Sequence, residues 1–131
     1  MSIKPESQFI SSINKHIPRT EVYRMKNHNS YTAGIPDVWY SAKNDLWVEY
    51  KYLPISKPRN PVFPDLSPQQ QRWIIDRQEE GRNIWVIVGY KLGGVILKHH
   101  SEFAGGLSPA IFKERTLSIK QIAAEILNFV Q

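Results

Sequence analysis

Asp37, Glu49 and Lys51 are the residues whose types and spacing could do chemistry. Asp37 closes the run Gly34-Ile35-Pro36-Asp37, and eleven residues separate it from Glu49-Tyr50-Lys51. Hydrolysis of a phosphodiester must neutralise charge on a pentacovalent phosphate, generate a nucleophile from water and stabilise the leaving oxygen. Hard divalent cations held by carboxylates serve all three needs. Asp37 at the start of one strand and Glu49 inside its partner could present oxygens to a common Mg2+ or Mn2+. Lys51 shares a strand face with Glu49, where its ammonium could touch the attacking water or the scissile phosphate and temper the repulsion between the two acids.

That convergence requires a hairpin, and the local pattern predicts one. Asp37-Val38-Trp39-Tyr40 is strand-like, 41–45 is turn-like, and Leu46 to Tyr52 forms a second strand. Side chains alternate along a strand, so Trp47, Glu49 and Lys51 lie on one face and Leu46, Val48 and Tyr50 on the other. Upstream, residues 5–16 read as a helix with Pro5 in its first turn and Phe9, Ile10 and Ile13 on one side; Glu6 belongs to that stripe, and Pro18 ends it. A short extended segment at 21–26 and a polar loop at 27–34 follow.

Downstream, residues 53–66 carry Pro54, Pro58, Pro61 and Pro64 with Lys57 and Arg59, giving an extended basic loop rather than a helix or a central strand. Ser67-Pro68-Gln69-Gln70 opens a helix with a capping box, and Gly81 closes it. The apolar run from Asn83 to Tyr90 is expected to be an interior strand covered on both faces, and Lys91-Leu92-Gly93-Gly94 turns it into an antiparallel neighbour or edge at 95–98. Residues 99–116 show no readable periodicity. A second capping box at Ser118 and Gln121 begins a final helix with an apolar stripe through Ile122, Ile126 and Val130. The order indicates an α/β fold, a mixed β-sheet flanked by helices.

The 131 residues suffice for one domain spanning 1–131, and an apolar fraction of 41% with 22% charged residues is ordinary for a globular chain. The absence of cysteine excludes disulfide frameworks, thiolate zinc sites and Cys nucleophiles and fits a reducing compartment. No apolar stretch of signal-peptide or membrane-span length is present, so a cytoplasmic location in a bacterial or phage-infected cell is expected. A formal charge of +5 suits a polyanionic partner such as DNA.

The motif and its setting resemble the PD-(D/E)XK nuclease superfamily, from Glu6 to Tyr90. The resemblance implies a restriction-endonuclease-like core, with Asp37, Glu49 and the Tyr50 backbone carbonyl binding magnesium and Lys51 assisting water activation. It also implies that Glu6, on the first helix, contacts the metal or its waters. Gly34-x-Pro36-Asp37, Leu66-Ser67-Pro68-Gln69-Gln70 with Trp73, and the apolar strand after Gly81 are most similar to the compact VRR-NUC group, whose short members resemble phage Holliday-junction resolvases. Trp85-Val86-Ile87-Val88 stands where that group carries Val-Arg-Arg. The implied activity is an endonuclease on branched DNA acting as a homodimer, with Gln70 near the active site. A sequence-specific homing or restriction endonuclease, or a catalytically silent nucleic-acid-binding domain, would use the same core.

Each residue also has a plainer reading. Glu6 in a first helical turn stabilises the helix dipole. Gln70 is the capping partner of Ser67, a role expected to compete with a catalytic one for the same amide. Lys57 and Arg59 could grip DNA phosphates or merely solvate their loop. Asn27-His28-Asn29 lacks a supporting metal-ligand histidine on a following helix. His99 and His100 would face opposite sides of a strand and belong at the surface. Trp39, Trp47, Trp73 and Trp85 are expected to pack in the core rather than stack on bases.

Overall fold

The computed structural model describes residues 4–27 and 34–131. Along the chain run α1 (Pro5–Asn14), β1 (Tyr23–Lys26), β2 (Val38–Ser41), β3 (Asp45–Tyr52), α2 (Pro68–Glu79), β4 (Ile84–Tyr90), β5 (Gly93–Leu97), a 3-10 turn (His100–Glu102), α3 (Pro109–Arg115) and α4 (Ile119–Val130). The strands form one sheet in sequence order, β1-β2-β3-β4-β5. Short turns join β2 to β3 and β4 to β5 as antiparallel pairs, whereas the long path through α2 returns β4 parallel to β3. The mixed, helix-flanked sheet expected from the sequence is therefore present.

Helices cover both faces. On one, α1 and α4 bury Ile13, Ile122 and Ile126 against Tyr40, Val48 and Tyr50. On the other, Ile74 of α2 and Phe112 of α3 join Ile84, Val86, Val88 and Leu97. β4 contributes to both clusters, with Trp85 and Ile87 on one side and Val86 and Val88 on the other. That is why its sequence is continuously apolar, and each fully buried aliphatic side chain contributes about 1.5–3 kcal/mol.

The packing of α1 is close. A Cβ on Gly89 would lie 2.5 Å from the Phe9 ring, and that ring contacts Tyr50 and Tyr52 at centroid distances of 6.1 and 5.6 Å. Glu6, one turn before Phe9, is thereby held beside the end of the sheet. The helix stops at Asn14, two residues earlier than the sequence reading, because the chain tightens through residues 15–17 before Pro18.

The stretch 99–116 holds a 3-10 turn and α3. Ser108 caps α3, its side chain accepting from the Ile111 N–H, and Pro109 occupies the first turn. Seven residues show too little periodicity to betray a helix, although Ser-Pro is the same opening signal that marks α2. Among the described residues no helix is long and apolar enough to cross a membrane.

Candidate active site

β2 and β3 place the first two acids side by side. Val38 pairs with Val48 in the antiparallel register, so the next step outward sets Asp37 opposite Glu49. Along β3 the odd-numbered amides face β4: Trp47 N–H donates to the Asn83 carbonyl and Leu53 N–H to that of Gly89. Even-numbered backbone groups therefore face β2, and Tyr50 lies just past the last β2 pair. Its N–H donates to Asp37 Oδ2 at 3.0 Å, and its carbonyl lies on the same edge. The Asp37 carbonyl in turn accepts from Asn27 N–H at 2.7 Å.

Gly34 explains how the segment reaches this position. Its φ is +93°, and an added Cβ would sit 2.6 Å from the Gln69 carbonyl oxygen in the first turn of α2. Only glycine combines that backbone conformation with so close an approach.

Glu49 is the one buried charged residue among those described, at 3% exposure. Its Oε2 accepts from Gln70 Nε2 at 3.0 Å and lies 3.5 Å from Lys51 Nζ. Its Oε1 is buried with no hydrogen-bond partner. An orphaned buried carboxylate oxygen is costly and rare in a native protein.

Gln70 departs from the expectation that capping and a site role exclude each other. Its Oε1 accepts from Ser67 N–H at 3.0 Å while its Nε2 donates to Glu49. A primary amide has an acceptor at one end and donors at the other, so one side chain fills both roles. The capping box fixes its direction.

The electrostatics bind the cluster together. Burial, followed by the charge of Asp37, pushes the Glu49 carboxyl up to about 8. Burial also raises Asp37, opposed by the Tyr50 N–H and by Lys51. Glu6, half-buried, is raised by burial and then by Asp37, with Lys51, Lys26 and Lys4 acting in the other direction. Glu6, Asp37, Glu49 and Lys51 thus sense one another across α1, β2 and β3.

No group of three or more His, Asp or Glu side chains among the described residues is arranged to hold a metal ion. The donors at hand are two carboxylates and the neighbouring carbonyl. That set fits Mg2+ or Mn2+ bound with waters and substrate phosphate completing the shell, and the partnerless Glu49 Oε1 is the oxygen that a cation would satisfy.

Among the described residues, the other sequence candidates take no part in the hydrogen bonds and ion pairs of this cluster. Lys57 and Arg59 are exposed and line a groove of about 920 Å³ formed by residues 53–63, and neither makes an ion pair or hydrogen bond with the acidic cluster. His99 and His100 do not face opposite sides of a strand: they stand where the chain enters the 3-10 turn, with ring centroids 4.1 Å apart and His99 Nδ1 against Ser101. Of the tryptophans, Trp85 is buried as expected, and Trp47 and Trp73, partly buried, pack against the second core cluster; with Trp39, also only partly buried, they form a row at 6.2 and 5.8 Å spacing. His28 and Asn29 lie outside the described residues.

Among solved structures, the fold matches Hjc, a Holliday junction resolvase from the archaeal hyperthermophile Archaeoglobus fulgidus, with a TM-score of 0.59 over 89% of this chain and 98% of that one. The sequences are 12% identical, so the likeness is one of fold. No protein-family model and no curated protein matches the sequence.

Proposed function

We propose that this protein is a metal-dependent endodeoxyribonuclease acting on branched DNA, with four-way junctions as the favoured substrate. The observation that carries the reading is the buried Glu49 carboxylate, one oxygen held by Gln70 and Lys51, the other partnerless beside Asp37. The resolvase-type fold and the excess of basic residues support it.

In this reading Asp37, Glu49 and the Tyr50 carbonyl hold Mg2+ or Mn2+. Such a cation supplies Lewis-acid stabilisation of phosphoryl oxygens and lowers the pKa of bound water. The Tyr50 N–H orients Asp37 through Oδ2, and Gln70 orients Glu49 through Oε2. Lys51 places its ammonium where negative charge develops on the phosphate and where an attacking water can be oriented. Glu6 takes the outer position, accepting hydrogen bonds from waters at the site. Incision leaves a 5′-phosphate and a 3′-hydroxyl, and paired incisions on a junction imply a homodimer with twofold symmetry.

Incubation with a labelled four-way junction and with plain duplex of the same sequence tests the reading. Mg2+-dependent nicking of the junction, lost in Asp37→Asn and Lys51→Ala, is expected. Equal nicking by these variants would remove the assignment, and cutting of plain duplex at one defined sequence would select a restriction-type activity instead.

A further inference from the structure

A second feature opens beside the acidic cluster. Between α1 and β1 lies a groove of about 380 Å³ whose charged lining is Lys15, Arg19, Arg24 and Lys26, with no carboxylate among the lining residues. Four cations in one groove concentrate much of a formal excess that is only +5 over the whole chain. Among the described residues none of the four pairs with an acid, and Glu21, the nearest carboxylate in sequence, accepts from Gln131 instead.

The groove is both anchored and directed. Arg24 is fixed by donating Nη1 to the Asn14 and Ile17 carbonyls at 3.5 and 3.3 Å, so the edge strand is tied to the end of α1. Lys26 pairs in register with Val38, the residue after Asp37, and its charge is felt at both Glu6 and Asp37. One end of the groove therefore lies at the acidic cluster and the other at Lys15 and Arg19. Ser7, Ser11 and Asn14 follow an i, i+4, i+7 stripe of α1 into the same lining. From Glu6 to Lys15 the helix advances about 13 Å, which matches roughly four nucleotides of a B-form strand.

We propose that this groove is a phosphate track holding the backbone of a DNA strand that runs to or from the Glu6, Asp37 and Glu49 cluster. It rests on the nuclease reading for the identity of the polyanion. Cations with short hydroxyl and amide side chains are what backbone contacts use, and such contacts set register and orientation rather than sequence. The track thus supplies sequence-independent grip on one arm of a branched substrate, leaving the geometry of the branch to decide where the cut falls.

The test measures the dissociation constant for a labelled four-way junction across a KCl series in Ca2+ without Mg2+, so that binding is read apart from cutting. Lys15→Ala/Arg19→Ala should weaken binding and reduce the slope of log affinity against log salt by about 1–2, near 0.9 for each lost phosphate contact. Lys15→Glu/Arg19→Glu should weaken it further, and Lys43→Ala/Lys120→Ala, which removes two exposed charges elsewhere, should leave the slope at the wild-type value. Equal slopes for the groove and control pairs, with folding confirmed by circular dichroism, would overturn the track. Cutting in Mg2+ by wild type but not Asp37→Asn would then leave the nuclease reading standing. A lowered slope in a protein that cuts no DNA would support the track and sink the nuclease reading.

Discussion

Gln70 Nε2 donates to Glu49 Oε2 at 3.0 Å while the same side chain, through Oε1, caps its own helix at Ser67. The start of α2 and the buried acid of β3 are therefore one mechanical unit. Gln70→Ala should lose about 0.5–2 kcal/mol of stability with the cap and 10- to 100-fold in Mn2+ affinity with the orienting donor. Ser67→Ala breaks the other half of the box and should lose comparable stability with metal affinity near wild type. Thermal unfolding and a Mn2+ titration of each variant separate the two contributions.

Glu49 carries a stability signature in the metal-free protein. Its folded-state value of about 8 lies above the ordinary carboxylate value of 4.5. The protonated acid is therefore favoured by folding: the stability is fully present below pH 4.5 and is lost as pH rises through about 8. At about 1.4 kcal/mol per unit the loss is on the order of a few kcal/mol. The melting temperature in EDTA should fall between pH 5 and pH 8, and Glu49→Gln should flatten that decline. A wild-type profile as flat as that of the variant would contradict the burial of this charge.

The same shift makes cation binding release protons. A carboxyl raised to about 8 is largely protonated at neutral pH, and a metal ligand must be ionised. Titration of Mn2+ at pH 7 in buffers of different ionisation enthalpy should report release approaching one proton per ion, shared between Asp37 and Glu49 as a coupled pair. Release should shrink at pH 9, where the pair is already ionised, and Mg2+ should raise the melting temperature more at pH 8 than at pH 5.

Gly34 is expected to be intolerant of any side chain. Alanine there would adopt a φ of +93° and drive its Cβ to 2.6 Å from the Gln69 carbonyl. Backbone strain of about 1–3 kcal/mol adds to displacement of α2 from the Asp37 segment. Gly34→Ala should lower the unfolding midpoint and weaken Mn2+ binding together, whereas Gly105→Ala, where nothing lies within 4 Å of the added Cβ, should do neither.

Much of this architecture is written in local pattern. Strand parity alone placed Glu49 and Lys51 on one face and Tyr50 on the other, because the side-chain period of a strand is two residues whatever surrounds it. Capping boxes at Ser67 and Ser118 marked their helices, since the bonds that make them span three residues. α3 escaped notice because seven residues carry too short a stripe. What only the tertiary structure decided are the relations across space: the orphaned oxygen of Glu49, the reach of Gln70 across 21 residues of sequence, and the field of Asp37 at Glu6. The basic groove, too, exists only once α1 lies along β1. Burial, charge coupling and shared protons depend on distances between elements, and those are set by the packing of the whole core rather than by any segment within it.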